Sequence, residues 1–203
     1  DLKSKTELSL AKILGENYTQ KKYLLTVSGG RDSMVLLDLF FELFPSSQLV
    51  VAHVNYGLRG EDSELDEALV KSTCKKRGVQ LIVERPRVTN CSEASLRSIR
   101  RIFFKKTLKN QVCDYIVTAH HAQDQLETFF MRLIRGSGVY GLSAMREKNG
   151  VLLKPLLSIT PSQLTDYTKR KKLVFRTDKS NLENHYFRNH IRNELLPVLD
   201  LVS

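Results

Sequence analysis

Apolar and polar positions along the chain alternate between two periods. Tyr23–Val27 is a short apolar run with a β-branched end, and Leu49–Val54 is another apolar run. Both fit buried parallel strands covered on two faces. Gln80–Glu84, Tyr115–His120 and Val151–Leu157 predict three more strands; the third stops before Pro86 and the fifth is edged by Pro155. Helical spacing predicts helices over Asp1–Asn17, Met34–Phe44, Glu61–Arg77, Ser92–Lys109, Gln123–Arg135, Pro161–Lys172 and His185–Leu199. In the first of these, Leu8, Leu10, Ile13 and Leu14 form the apolar stripe. Gly78 and Gly136 stand where helix C-caps belong, and Pro161 where a first turn belongs. Alternating strands and helices predict a doubly wound α/β fold: a mostly parallel five-stranded sheet, helices on both faces, right-handed crossovers. Such folds take ligands at the carboxyl ends of the strands, where the strand order reverses.

Ser28-Gly29-Gly30-Arg31-Asp32-Ser33 lies between the first strand and the helix behind it. Two adjacent glycines tolerate positive φ, so successive backbone N–H groups can curl around a phosphate. The helix N-terminus adds its own unpaired N–H groups and partial positive charge. Ser33 or Asp32 is the expected cap. The plain alternative is a strand-to-helix turn with an N-cap and no ligand. No glycine precedes a lysine anywhere in the chain, so the Walker A pattern is absent.

Two more motifs fall on the same rim. His53-Val54-Asn55-Tyr56-Gly57-Leu58-Arg59 follows the second strand, and Thr118 to Thr128 runs from the fourth strand into a helix. The latter offers His120, His121, Asp124 and Glu127, the two acids one helical turn apart. Carboxylates beside a triphosphate are candidate Mg²⁺ ligands, and an imidazole there is a candidate proton carrier. A solvated strand end and a helix salt bridge are the alternatives. Arg135-Gly136-Ser137-Gly138-Val139-Tyr140-Gly141 spells a dinucleotide fingerprint but follows a helix instead of a strand, so a substrate loop is the better reading.

Charge narrows the partner class. The 203 residues carry a net charge of +10, with ordinary hydrophobic (41%) and charged (27%) content. That excess favours a polyanion, nucleic acid or an anionic membrane surface. Glu93–Lys109 concentrates it: Arg97, Arg100, Arg101, Lys105, Lys106 and Lys109 accompany a single acid, with Arg97, Arg101 and Lys105 on one stripe and Ile99, Phe103 and Leu108 facing the sheet. A solvated helix face is the alternative. Lys169–Lys172 and Arg188–Arg192 are further basic clusters. Cys74, Cys91 and Cys113 form no CxxC pair, which fits a reducing cytoplasm. No apolar run approaches the ~18 residues that span a bilayer, so a cytoplasmic location is expected.

SGGRDS, HVNYGLR, EASLRSIRR, TAHHAQDQLET, RGSGVYGL, DKSN (Asp178–Asn181) and RNHIR (Arg188–Arg192) occur in one order from Tyr23 to about Pro197. SGGxDS resembles the PP-loop signature of the ATP-pyrophosphatase superfamily. The seven ordered blocks resemble the tRNA(Ile)-lysidine synthetase family. Tyr56 stands where that family usually has histidine, and Gln123 where it usually has a first acid before Asp124. The resemblance implies ATP-dependent joining of L-lysine to C2 of the wobble cytidine in tRNA(Ile) with a CAU anticodon. An adenylated cytidine would form first, releasing pyrophosphate and then AMP. It implies ATP binding at Ser28, Gly29, Gly30, Arg31, Asp32, Ser33, His53, Asn55 and Arg59. It implies catalysis by Asp32, His121 and Asp124, with Mg²⁺ on Asp32 and Asp124. It implies tRNA or substrate contact at Arg97, Arg100, Arg101, Glu127, Arg135, Gly136, Gly138, Arg188 and Arg192. One catalytic domain over residues 1–203 is expected, with a helical extension from about 158 and no separate C-terminal RNA-binding domain. Another PP-loop enzyme such as a tRNA thiolase, or a non-catalytic RNA-binding protein on the same fold, are the competing readings. A cluster-binding cysteine pair would mark the first and a degenerate glycine turn the second; neither is present.

Overall fold

The computed structural model describes residues 1–177 and 187–202. Six strands form one sheet: β1 Tyr23–Thr26, β2 Leu49–Val54, β3 Gln80–Glu84, β4 Tyr115–Val117, β5 Lys148–Asn149 and β6 Leu152–Leu153. Their order is β3-β2-β1-β4-β6-β5, parallel except for the antiparallel β5–β6 pair. The helices are α1 Leu2–Leu14, α2 Arg31–Leu43, α3 Glu61–Arg77, α4 Glu93–Asn110, α5 Ala122–Ile134, α6 Pro161–Lys171, then α7 Phe187–His190 and α8 Leu196–Val202 joined by a π-helical stretch, Ile191–Leu195.

Side-chain alternation splits the core in two. Tyr23, Leu25 and Val51 pack on one face against Leu36, Leu37 and Phe40 of α2, Val70 and Cys74 of α3, and Leu164 and Tyr167 of α6. Leu24, Val50, Ala52 and Ile116 face the other way, onto Phe103, Phe104 and Leu108 of α4. Both faces of β1 and β2 are therefore covered, which is why those strands read as unbroken apolar runs. After β3 the chain crosses to the second face through α4 and returns at β4, beside β1. The order reverses there, and the rim above β1 and β4 is the ligand crevice expected of such a sheet.

Several expectations need correction. The sheet has six strands because Gly150, with φ +58°, turns the chain between β5 and β6. The Asn149-Gly150 pair is a hairpin signal, and it shortens the predicted fifth strand to Leu152–Leu153. Strand β4 ends at Val117, and α1 ends at Leu14, before a 3₁₀ turn over Glu16–Gln20. Leu8 is 69% exposed, so it stands off the buried stripe of α1. Helix α2 starts at Arg31 and its N-cap is Gly30, with no side-chain cap from Ser33 or Asp32. The C-cap at Gly78 and the first-turn Pro161 are found, the latter behind a capping box of Thr160 and Gln163, whereas α5 ends at Ile134 with Arg135 and not Gly136 as its C-cap. DKSN and the first residues of the predicted last helix lie outside the described residues.

Candidate active site

The turn after β1 is held open by its own serines. Ser33 Oγ donates to Gly30 O at 2.9 Å and accepts from Ser28 N–H at 3.2 Å. Ser28 Oγ lies 3.1 Å from Ser33 Oγ. Gly29 takes φ +93°, a region closed to residues with a Cβ without strain. The first intrahelical bond of α2 runs from Met34 N–H to Gly30 O, so the N–H groups of its first turn lie ahead of that ladder. The turn therefore presents backbone donors at a helix N-terminus, the chemistry of a phosphate cradle. Arg31 folds back instead of reaching outward: Nε donates to Asp32 Oδ1 at 2.7 Å and Nη1 to Thr165 Oγ1 of α6 at 3.1 Å.

Asp32 and the start of α5 meet across one imidazole. His121 Nε2 is 3.4 Å from Asp32 Oδ2 and 3.7 Å from Asp124 Oδ2. Two carboxylates on that nitrogen place the proton there. His121 is buried, and its Nδ1 has no hydrogen-bond partner; such an orphaned buried atom is a common mark of a working site. Burial pushes the Asp32 carboxyl up, but hydrogen bonds from His121 and Arg31, with the charge of Arg31, hold it below the usual carboxylate value. Neighbouring His120 accepts or donates at Nδ1 with Thr118 Oγ1 at 2.7 Å, and burial lowers its pKa to about 4. It is neutral at physiological pH.

Asp124 is buried and both of its oxygens are engaged. It is 8% exposed, its Oδ2 accepts from His121 N–H at 2.8 Å as part of the helix cap, and its Oδ1 takes Arg188 Nη2. Glu127, one turn on, is fully buried between Arg188 Nε at 2.5 Å and Arg192 Nε at 2.6 Å. Arg188 and Arg192 thus fasten the C-terminal helices to α5 through these ion pairs.

The remaining predicted residues divide. His53 is buried and its Nδ1 donates to Val27 O at 2.8 Å, fixing the end of β1. Asn55 donates through Nδ2 to Glu64 and Glu67 and accepts Gly57 N–H, so its amide builds the loop after β2. Arg59 pairs with Asp66 of α3. Arg135 lies over the Phe187 ring at 5.7 Å, Gly136 has φ +74°, and Gly138 opens a 3₁₀ turn. The formal dinucleotide fingerprint therefore lies after α5, with no strand before it. Arg97 and Arg100 line a cavity of about 260 Å³ with Tyr56, Leu96 and Arg188; Arg101, grouped with Arg97 in the sequence, is exposed and not among the lining residues. Tyr56 Oη donates to Leu96 O at 2.9 Å, tying the second rim motif to α4.

Asp66, Thr165 and Arg176 were missed. Ser63, Asp66, Val70 and Cys74 are the buried face of α3, so extending the Val70–Cys74 stripe backward by helical steps would have found Asp66. Lys154, also missed, is 9% exposed just past β6, its ammonium weakened by burial and by Arg97 and Arg132.

The arrangement suits transfer chemistry on a phosphate: an amide cradle, two carboxylates and a histidine converge on one rim. Among the described residues no three His, Cys, Asp or Glu side chains form a metal cage. Asp32 Oδ2 and Asp124 Oδ2 nevertheless both lie beside His121 Nε2, and Mg²⁺ commonly takes one or two carboxylates and completes its shell with phosphate and water. The donor set fits that ion.

The comparisons agree with the geometry. The chain is 40% identical to a tRNA(Ile)-lysidine synthase of Haemophilus influenzae over 98% of its own length and 47% of the relative's. It is 37% identical to that of Chlorobaculum tepidum, over 87% of this chain and 56% of the relative. The chain thus spans about half the length of the curated relatives it matches. Its fold is similar to that of a U34-tRNA thiolase from Methanococcus maripaludis, solved with a [4Fe-4S] cluster, at TM-score 0.68 and 21% identity, covering 97% of this chain and 78% of that one. Residues 2–199 match the PP-loop domain, and with the cradle at Ser28–Ser33 in place the chain belongs to the PP-loop family.

Proposed function

We propose that this chain is the catalytic part of a tRNA(Ile)-lysidine synthetase, using ATP to join L-lysine to C2 of the wobble cytidine of a CAU anticodon. The observation that carries the reading is the placement of the glycine turn against Asp32, His121 and Asp124, in a chain without a Walker lysine. In the first step cytidine O2 attacks the α-phosphorus, the bond to the bridging oxygen breaks and pyrophosphate leaves. In the second the lysine side-chain amine attacks C2, the C2–O bond breaks and AMP leaves. The amide cradle at Gly29, Gly30 and the start of α2 binds the departing pyrophosphate; donors fixed before the reaction need no reorganisation as charge develops. Asp32 and Asp124 would hold Mg²⁺, which would neutralise phosphate charge. His121, whose Nδ1 has no hydrogen-bond partner, takes up the proton released by the attacking amine. Arg97 and Arg100 contact the anticodon strand, whose target base must be splayed out to react.

The test is product analysis. With a CAU tRNA, ATP and lysine, AMP and pyrophosphate accumulate, and the tRNA gains the mass of one lysine residue. ADP and phosphate as principal products would end the adenylation mechanism. A sulfur-for-oxygen mass change instead would assign the chain to the thiolases, whose fold it shares.

A further inference from the structure

Asp66 of α3 lies among charges that the reaction does not explain. It is 7% exposed, and a guanidinium reaches each of its oxygens. Arg176 Nε donates to Oδ1 at 2.9 Å and Arg59 Nη2 to Oδ2 at 2.6 Å. Arg176 Nη2 donates to Asp62 Oδ1 at 2.5 Å, one turn earlier on α3. These residues come from three places: the loop after β2, the third helix and the stretch beyond α6. They meet against the glycine turn. A Cβ on Gly29 would lie 3.3 Å from Asp66 Cβ and 3.4 Å from Asp66 O, so α3 is packed directly on the turn. Arg176 also grips the turn through its backbone: its N–H donates to Gly29 O at 3.0 Å, and it forms a parallel bridge with Gly30. One residue thus binds the turn with its main chain and the turn's support with its side chain.

We propose that Asp66 and Arg176 are positioning residues that lock the glycine turn in its anion-receiving form before any ligand arrives. A turn of two glycines has more conformational freedom to lose than any other pair. Left free, it would have to be ordered by the phosphate, at the expense of affinity. The packing of Asp66 closes the space below Gly29, and the Arg176 main chain fixes its carbonyl. Electrostatics decides why the support is built from paired charges. An isolated buried carboxylate under a phosphate site would repel the ligand. Arg59 and Arg176 balance Asp66 and Asp62, so the support is rigid and adds no net repulsion.

The inference rests on the turn holding a phosphate of ATP, and its test separates the two ideas. Asp66→Asn, Arg176→Met and Arg176→Lys are compared with the parent in two measurements. The first is amide hydrogen exchange at residue 176, whose N–H donates to Gly29 O, in the ligand-free protein. It should be at least about tenfold faster in Asp66→Asn and Arg176→Met. The second is steady-state kinetics, where KM for ATP should rise about tenfold while kcat stays within about threefold. Arg176→Lys should recover part of the loss. The Asp66→Asn/Arg176→Met double variant should be little worse than either single change, because the two act as one unit. If either single variant fails to fold, the other carries the comparison. Parental exchange and KM in the folded variants would overturn the proposal, as would a lower Tm with unchanged KM, since the cluster would then be structural only. If the parent itself binds no ATP, the nucleotide reading falls, and exchange in the free protein still decides whether Asp66 and Arg176 hold the turn.

Discussion

Asp124 carries two duties on two oxygens, and a single substitution separates them. Oδ2 caps α5 through His121 N–H, and Oδ1 receives Arg188. Asparagine keeps a cap acceptor and removes the charge. Asp124→Asn should lower tRNA-lysidine formation by roughly two orders of magnitude, about 2.7 kcal/mol of transition-state stabilisation. It should also destabilise the fold by about 1–3 kcal/mol, because a half-buried arginine loses a charged partner. Adding Arg188→Met should restore part of the stability and none of the activity. Turnover within a few-fold of the parent would leave Asp124 as a cap and pairing residue only. Gly29 is the second residue whose change is decisive. Alanine there must adopt φ near +93° with its methyl 3.3 Å from Asp66 Cβ, a strain of about 1–3 kcal/mol. Gly29→Ala should therefore weaken ATP binding measured by calorimetry more than Gly136→Ala, whose Cβ meets open space.

At the level of elements, the junction from β4 to α5 places a half-buried imidazole, His120, among the charges of Asp124, Lys154, Arg188 and Arg100, and that has a pH signature. Burial holds His120 at a pKa of about 4, against 6.5 for the exposed side chain. Between those values the unfolded chain binds a proton that the folded protein refuses, so stability falls as pH drops from about 6.5 toward 4. The full loss is on the order of 3 kcal/mol. Asp32 acts in a lower window: its folded pKa is below the ordinary 3.8, so its contribution fades only under that pH. Urea unfolding of His120→Gln should show a flatter dependence between pH 6.5 and 4.5 than the parent; equal slopes would remove His120 as the cause. Elements of this kind were legible in the sequence only where hydrophobic period marks them. The runs of β1 and β2 and the caps of α3 and α6 were readable because each depends on residues close in sequence. The β5–β6 hairpin was missed because two-residue strands carry no period. The ion pairs of Glu127 with Arg188 and Arg192 were not readable, because partners 61 and 65 residues apart leave no local trace.

For the whole molecule, the net charge of +10 matters through its placement. Some of the basic side chains are paired internally: Arg31 with Asp32, Arg59 with Asp66, Arg85 with Glu64 and Glu67, Arg176 with Asp62 and Asp66. The sequence grouped Arg97 with Arg101 and Lys105 as one stripe. The fold instead places Glu93, Leu96, Arg97 and Arg100 around the cavity shared with Tyr56 and Arg188, while Arg101, equally exposed, is not among its lining residues. On the proposed function, this cavity is the surface an RNA strand meets. Arg97→Glu and Arg100→Glu should each weaken tRNA binding by about tenfold or more at physiological salt and reduce the log–log salt slope by about 0.7–0.9. ATP binding should be unaffected, since neither residue touches the glycine turn. Arg101→Glu should do measurably less. Binding titrations at several salt concentrations decide the matter. Equal losses in all three variants would make α4 a diffuse electrostatic face, and unchanged affinity in all three would make it a solvated helix surface with no part in RNA recognition.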